Sequence, residues 1–165
     1  MQNPLRVVVL LLTMIFSSAV LSAGAAPDFE LEGLDGKIKL SEYKGKVVYL
    51  DFWASWCGPC RKSFPWMNKV QSRYQSQGFE VVAVNLDSKR ADADKFLAQL
   101  KPNFDIAFDP PGDVAGLYEL QGMPSAYLID RKGQLHSVHM GFRNKDIALL
   151  EHEIEMLLNN DKTKK

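Results

Sequence analysis

The chain has 165 residues, 46 % of them hydrophobic, with 20 basic and 20 acidic side chains. That is enough apolar surface for one ordinary globular core. The even charge balance argues against a basic nucleic-acid surface and against an acidic tail.

Residues 1–25 differ from the rest. Arg6 gives a positive start, residues 7–16 (VVVLLLTMIF) are apolar apart from Thr13, and Ala23-Gly24-Ala25 fits the small-residue pattern ahead of a cleavage site. The segment reads as a secretory signal peptide cut near Ala25–Ala26. The alternative is an uncleaved anchor, because the apolar stretch 7–26 is just long enough to span a bilayer. No cysteine follows it that could carry a bacterial lipid anchor. Residues 26–158 are expected to form the folded domain, and 159–165 a frayed polar tail.

In 27–46, Phe29 and Leu31 alternate with charges, and so do Ile38 and Leu40. Asp35-Gly36 between them predicts a short hairpin. Residues 46–53 (KVVYLDFW) are β-branched, aromatic and nearly continuous, as in a central strand buried on both faces. A helix should start at the CGPC turn and run to about Gln77, kinked at Pro65 and stopped by Gly78. Residues 79–86 (FEVVAVNL) read as a second buried strand. Then follow a short amphipathic helix at 94–100, a short strand at 104–108 and a short helix at 114–120. A strand at 126–130, a turn at 131–133 and a partner strand at 134–140 make a second hairpin. Residues 144–158 close as a helix, with Ile147, Leu150, Ile154, Leu157 and Leu158 at core spacing. This order predicts an α/β fold with a mixed sheet covered by helices on both faces. No internal repeat or linker divides it.

The only cysteines are Cys57 and Cys60. An exported protein commonly ties two cysteines into a structural disulfide. A two-residue spacer closes so small a loop that it constrains little of the unfolded chain. Such a pair is better suited to opening and closing. Cys57 stands where a strand ends and a helix begins, where free N–H groups and the helix dipole favour a thiolate, and Arg61 and Lys62 add positive charge. Cys60, one turn further in, is placed to attack a mixed disulfide on Cys57. Pro59, after Gly58, pre-sets the first turn. A lone C-x-x-C could also begin a zinc site, but zinc needs four ligands and there is no second pair. His136 and His139 should point to opposite faces of their strand, and His152 lies on the last helix. No metal site is expected.

Asp51 is a carboxylate in a strand expected to be buried on both faces. Burial is costly for a charge and pushes a carboxyl's pKa up. A carboxyl that holds a proton near neutral pH can act as the base that deprotonates Cys60. The alternative is a strand-end aspartate that reaches solvent. Asp87, Lys89, Arg90, Asp92 and Asp94 read as a solvated rim. Trp56 is expected to cover the site, and Trp53 and Trp66 to pack in the core.

The strand-then-motif DFWASWCGPC, Pro65 beyond it and GMPSAYLID at 122–130 resemble the TlpA/ResA-like thiol–disulfide oxidoreductases of the bacterial envelope, which have the thioredoxin fold. The likeness spans residues 27–158. It implies an N-terminal hairpin and an inserted element after the second core strand, around 87–111. It implies that Pro124 is the cis-proline lying against the sulfurs and that the backbone of Met123 pairs with an extended substrate. Without the resemblance, 122–124 is a plain turn. Trp56, Gly58 and Pro59 would complete the substrate surface. In thioredoxins an acid at the position of Asp51 deprotonates the resolving cysteine. Many cytochrome-maturation members carry a glutamate where this chain has Ser63, which weakens any transfer of their specificity.

The resemblance further implies a monomer that needs no cofactor, with protein disulfides as substrates, apocytochrome c or mis-oxidised proteins among them. It implies a membrane electron donor of the DsbD or CcdA type. Gly-Pro is the spacer of reducing thioredoxins, so a dithiol reductase is the leading expectation. Thioredoxin and a strong envelope oxidant differ by about 150 mV, or about 7 kcal/mol, and local charge tunes across that range. An oxidase or isomerase, and a peptide-binding module with a structural disulfide, are the alternatives. A peroxidase would need its reactive cysteine in a different motif.

Overall fold

The computed structural model describes residues 24–160. Most of the expected leader and the tail from residue 161 lie outside the described residues.

The chain begins with the predicted hairpin, β1 (Glu30–Gly33) and β2 (Lys37–Lys39), paired antiparallel with Leu31 opposite Ile38. β3 (Val47–Trp53) follows, and every one of its residues is buried. The helix α1 (Gly58–Tyr74) and β4 (Phe79–Asn85) complete a right-on-the-motif β-α-β unit, with β3 and β4 parallel. Next come α2 (Arg90–Leu100), β5 (Asp105–Phe108) and α3 (Asp113–Leu117). The hairpin β6 (Ser125–Ile129) and β7 (Leu135–Met140) and the helix α4 (Ile147–Asn159) close the fold. Among the described residues seven strands form one sheet in the order β2-β1-β5-β4-β3-β6-β7. β3, β4 and β5 run parallel, and β1, β6 and β7 are antiparallel to their neighbours. The inserted element α2–β5 joins this sheet and docks the N-terminal hairpin through β1.

Helix ends depart from the sequence reading where backbone geometry decides. α1 ends at Tyr74 and tightens into a 3-10 turn over Gln75–Gln77. Gly78, at φ 82°, then leaves the helix in the left-handed region. α1 runs through Pro65. α2 starts about a turn before residue 94, because its charged first turn carries no apolar period to reveal it. α3 stops at Leu117 rather than 120, and Glu119 turns out of it at φ 51°. The last helix begins as a 3-10 turn at Asn144–Asp146.

Alternation along β3 splits the core in two. Val47, Tyr49 and Trp53 face the layer made by α1, α2 and α4. The Trp53 ring packs on Phe64 of α1 at 4.9 Å and on Phe96 of α2 at 4.7 Å. Val48, Leu50 and Phe52 face the other layer, covered by short α3 and the N-terminal segment. There Tyr118 donates its hydroxyl to the Pro27 carbonyl at 2.8 Å, and Tyr127 donates to the Tyr118 carbonyl at 2.7 Å. Helices do lie on both faces, but this second face is thinly covered.

Candidate active site

The buried end of β3 throws the chain out of the sheet at Ala54, and α1 begins at Gly58, with four residues between the two elements. Cys57 is the residue that caps this helix. Its Sγ accepts the Cys60 backbone N–H at 3.2 Å, and its own N–H donates to the Ala54 carbonyl at 3.1 Å. A sulfur in this place meets a helix N-terminus, which stabilises negative charge once the pair is reduced. Cys57 and Cys60 are joined in a disulfide, with Cα atoms 5.3 Å apart. Cys57 is 5 % exposed and Cys60 fully buried, so an incoming thiol or disulfide can reach only the first sulfur. Gly58 and Pro59 are exposed beside it, and Trp56 is 72 % exposed.

Asp51 sits two positions before Trp53 and points to the same face as Tyr49 and Trp53, the face whose cluster includes Cys60. Its partners across the sheet are Ala83 on β4 and Ala126 on β6, whose small side chains leave room for a carboxyl. Asp51 is 1 % exposed, and its Oδ2 has no hydrogen-bond partner. Burial therefore pushes its carboxyl well above the ordinary aspartate range. The same charge, after burial, helps push the Tyr49 hydroxyl up. The alternative of a strand-end aspartate in water is thus set aside. On the β6 side the Met123–Pro124 peptide bond is cis, Pro124 is buried, and Met123 is half-buried against the α1 layer. The chain re-enters the sheet here at Ser125, opposite Phe52 at the catalytic end of β3.

Residues 23–138 match the model of a family described as AhpC/TSA. The thiol-disulfide oxidoreductase ResA of Geobacillus thermodenitrificans is 35 % identical over 130 residues, covering 78 % of this chain and 75 % of that protein. The chain is a ResA-like thiol–disulfide oxidoreductase of the AhpC/TSA family. ResA of Bacillus subtilis is 38 % identical over 117 residues, covering 70 % of this chain and 65 % of its own. Among solved structures, a Chlorobium tepidum protein described as a thiol:disulfide interchange protein DsbE superposes with a TM-score of 0.82. It is 55 % identical and covers 83 % of this chain and 97 % of that one.

The oxidoreductase also holds a group that reading the sequence missed. Asp87 was expected in a solvated rim with Lys89, Arg90, Asp92 and Asp94. The other four are exposed, but Asp87 is buried. Its Oδ1 accepts the Ser55 hydroxyl at 2.9 Å, and its Oδ2 accepts the Ser55 N–H at 2.9 Å and an Asn85 side-chain N–H at 2.8 Å. The Asp87 N–H donates back to the Asn85 Oδ1 at 3.1 Å. The carboxylate thus ties the end of β4 to the turn that presents Trp56 and Cys57. A run of charges gives no hint of which one folds inward, because only the packing of two loops decides it. Asp87→Ala leaves these buried donors unmet and is expected to lower stability by about 3 kcal/mol, read by denaturant unfolding. An unchanged midpoint would show that the turn is held elsewhere.

The remaining residues fall into ordinary places. Ser63 is buried, and its hydroxyl donates to the Cys60 carbonyl at 3.0 Å, a bond within the helix. Trp53 and Trp66 are core residues as expected, with the Trp66 Nε1 donating to Glu151 at 3.1 Å. His136 is exposed, while His139 on the other face meets Glu153 at 2.8 Å and pins β7 to α4. That bond and one from Ser137 hold the Glu153 carboxyl below its ordinary range, despite the opposing effect of burial.

Proposed function

We propose that this oxidoreductase is a dithiol reductase of protein disulfides, working in the bacterial envelope. One observation carries the reading: an accessible, helix-capping Cys57 with a fully buried Cys60 directly behind it. In the reduced enzyme the Cys57 thiolate attacks a substrate disulfide. A Cys57–substrate disulfide forms and one substrate thiolate leaves. Asp51, in its ionised form, takes the proton of the Cys60 thiol, and the resulting Cys60 thiolate attacks the Cys57 sulfur. The second substrate thiol departs, and the enzyme is left with the Cys57–Cys60 disulfide. Two electrons have passed from the enzyme to the substrate, and a donor dithiol must restore them.

Trp56, Gly58, Pro59, Met123 and Pro124 form the surface that receives the substrate chain. The domain that does this work is residues 26–158, delivered by the leader at 1–25. The leader's composition supports the envelope location, and an oxidising compartment then requires an electron source across the membrane. A membrane thiol donor of the DsbD or CcdA type supplies it, and apocytochrome c is one substrate of suitable chemistry. Among the described residues no helix is long and apolar enough to cross a membrane.

Thiol trapping in cells tests the direction. With the membrane donor intact, the Cys57–Cys60 pair should be alkylated as a dithiol. A pair found mostly as the disulfide would instead assign the enzyme to oxidation or isomerisation.

A further inference from the structure

The two edges of the sheet are built differently. At one edge β2 is only three residues long and reads Lys-Ile-Lys. Short strands carrying lysines are how sheets discourage the pairing of a further chain. At the other edge β7 has six residues, LHSVHM, and carries no Lys, Arg, Asp or Glu. Val138 is 47 % exposed and Met140 67 %, both on the thinly covered face, where Leu117 of α3 is 57 % exposed. Together with Tyr118 and Pro27, and with Glu119 and Gln121 on its polar side, they line an open cleft of about 340 Å³.

This strip runs into the catalytic rim. Met140 pairs with Ser125, the residue after Pro124, and the Gly141 N–H donates to the Pro124 carbonyl at 2.7 Å. The outer side of β7 already takes an extended chain at its start. The Leu135 N–H donates to the Gly24 carbonyl at 3.0 Å, and Ala25 bridges Gln134 antiparallel. Beyond that point no strand of the described residues pairs with the outer side of β7.

We propose that the outer edge of β7, with the cleft beneath Val138 and Met140, docks an extended apolar segment of the client protein. The segment adds as a further strand and sets the client's disulfide beside Cys57. This rests on the protein-disulfide reading above. Backbone pairing supplies affinity, and apolar side chains at alternate positions enter the cleft, matching the two-residue spacing of Val138 and Met140.

The test compares the double variant Val138→Lys, Met140→Lys with the parent on two substrates, insulin and the small disulfide dithiobis(nitrobenzoate). Both positions are exposed, so the variant should fold; Val138→Thr with Met140→Gln gives a second, uncharged version. The expected result is a loss of about tenfold in kcat/KM for insulin, carried by KM, with the small disulfide reduced at the parent's rate. An unchanged insulin rate, or an equal loss on both substrates, overturns the docking strip while leaving the reductase intact. A parent that reduces neither substrate overturns the reductase reading, and the strip with it. A parent dimer that the lysine variant dissolves gives the strip to a second copy. A rise in insulin turnover on removing residues 1–23, seen in the parent but not in the variant, gives it to the chain's own leader. Either outcome overturns the proposal.

Discussion

A Cys60→Ser variant is expected to accumulate a disulfide between Cys57 and its substrate, with turnover down by on the order of 10³-fold. The reason is the difference in burial between the sulfurs. Cys57 is the one that a substrate can reach, and Cys60 is enclosed where only Cys57 is available to it. With serine at 60 the first attack still occurs, but nothing breaks the bond that it makes. Non-reducing electrophoresis followed by mass spectrometry would detect the trapped partner and identify it. Cys57→Ser should give neither adduct nor turnover. An adduct that forms on Cys60 in that variant would reverse the assigned roles.

Asp51→Asn is the second large effect, and it acts on stability and rate in opposite directions. The parent carboxyl is fully enclosed, and burial raises its pKa well above the ordinary range. In the window between the ordinary and the raised value, the folded protein keeps a proton that the unfolded chain has lost. Stability therefore falls as pH rises through that window, by about 1.4 kcal/mol per pH unit. Asparagine does not titrate, so this slope should vanish. The oxidised variant should be more stable than the parent at neutral pH, and the gain should shrink towards the pH at which a free aspartate protonates. Denaturant unfolding at several pH values reads it directly.

Turnover should fall by on the order of 10²-fold, the usual weight of a positioned base. Alkylation of Cys57 in the reduced variant should be nearly unaffected, because the proton transfer proposed for Asp51 belongs to the Cys60 step and comes after the first attack. Parent-like turnover would remove Asp51 from the mechanism and leave it as a buried cost to stability.

Much of this was legible along the chain. β3 and β4 announce themselves because a strand buried on both faces must be apolar at every position, and the lone charge in such a run, Asp51, stands out for the same reason. The CGPC turn marks its own place, since a helix that starts at a cysteine leaves the sulfur among unpaired N–H groups. Pro124 was legible only through resemblance to known proteins, because its neighbours by themselves describe an ordinary turn.

Residues whose role depends on a distant partner were not legible. Asp87 looks like its charged neighbours until β4 and the turn at Ser55 meet. Leu117, Val138 and Met140 look like core residues by type, but α3 is too short to cover them.

The sequence by itself determined the chemistry, two thiols and a buried acid on one strand-to-helix turn, because that chemistry is local and lies within ten residues. Tertiary structure alone decided which carboxylate holds the turn and which sheet edge stays open. Each of these depends on how much of a side chain other segments cover, and segments far apart in the chain meet only in the fold.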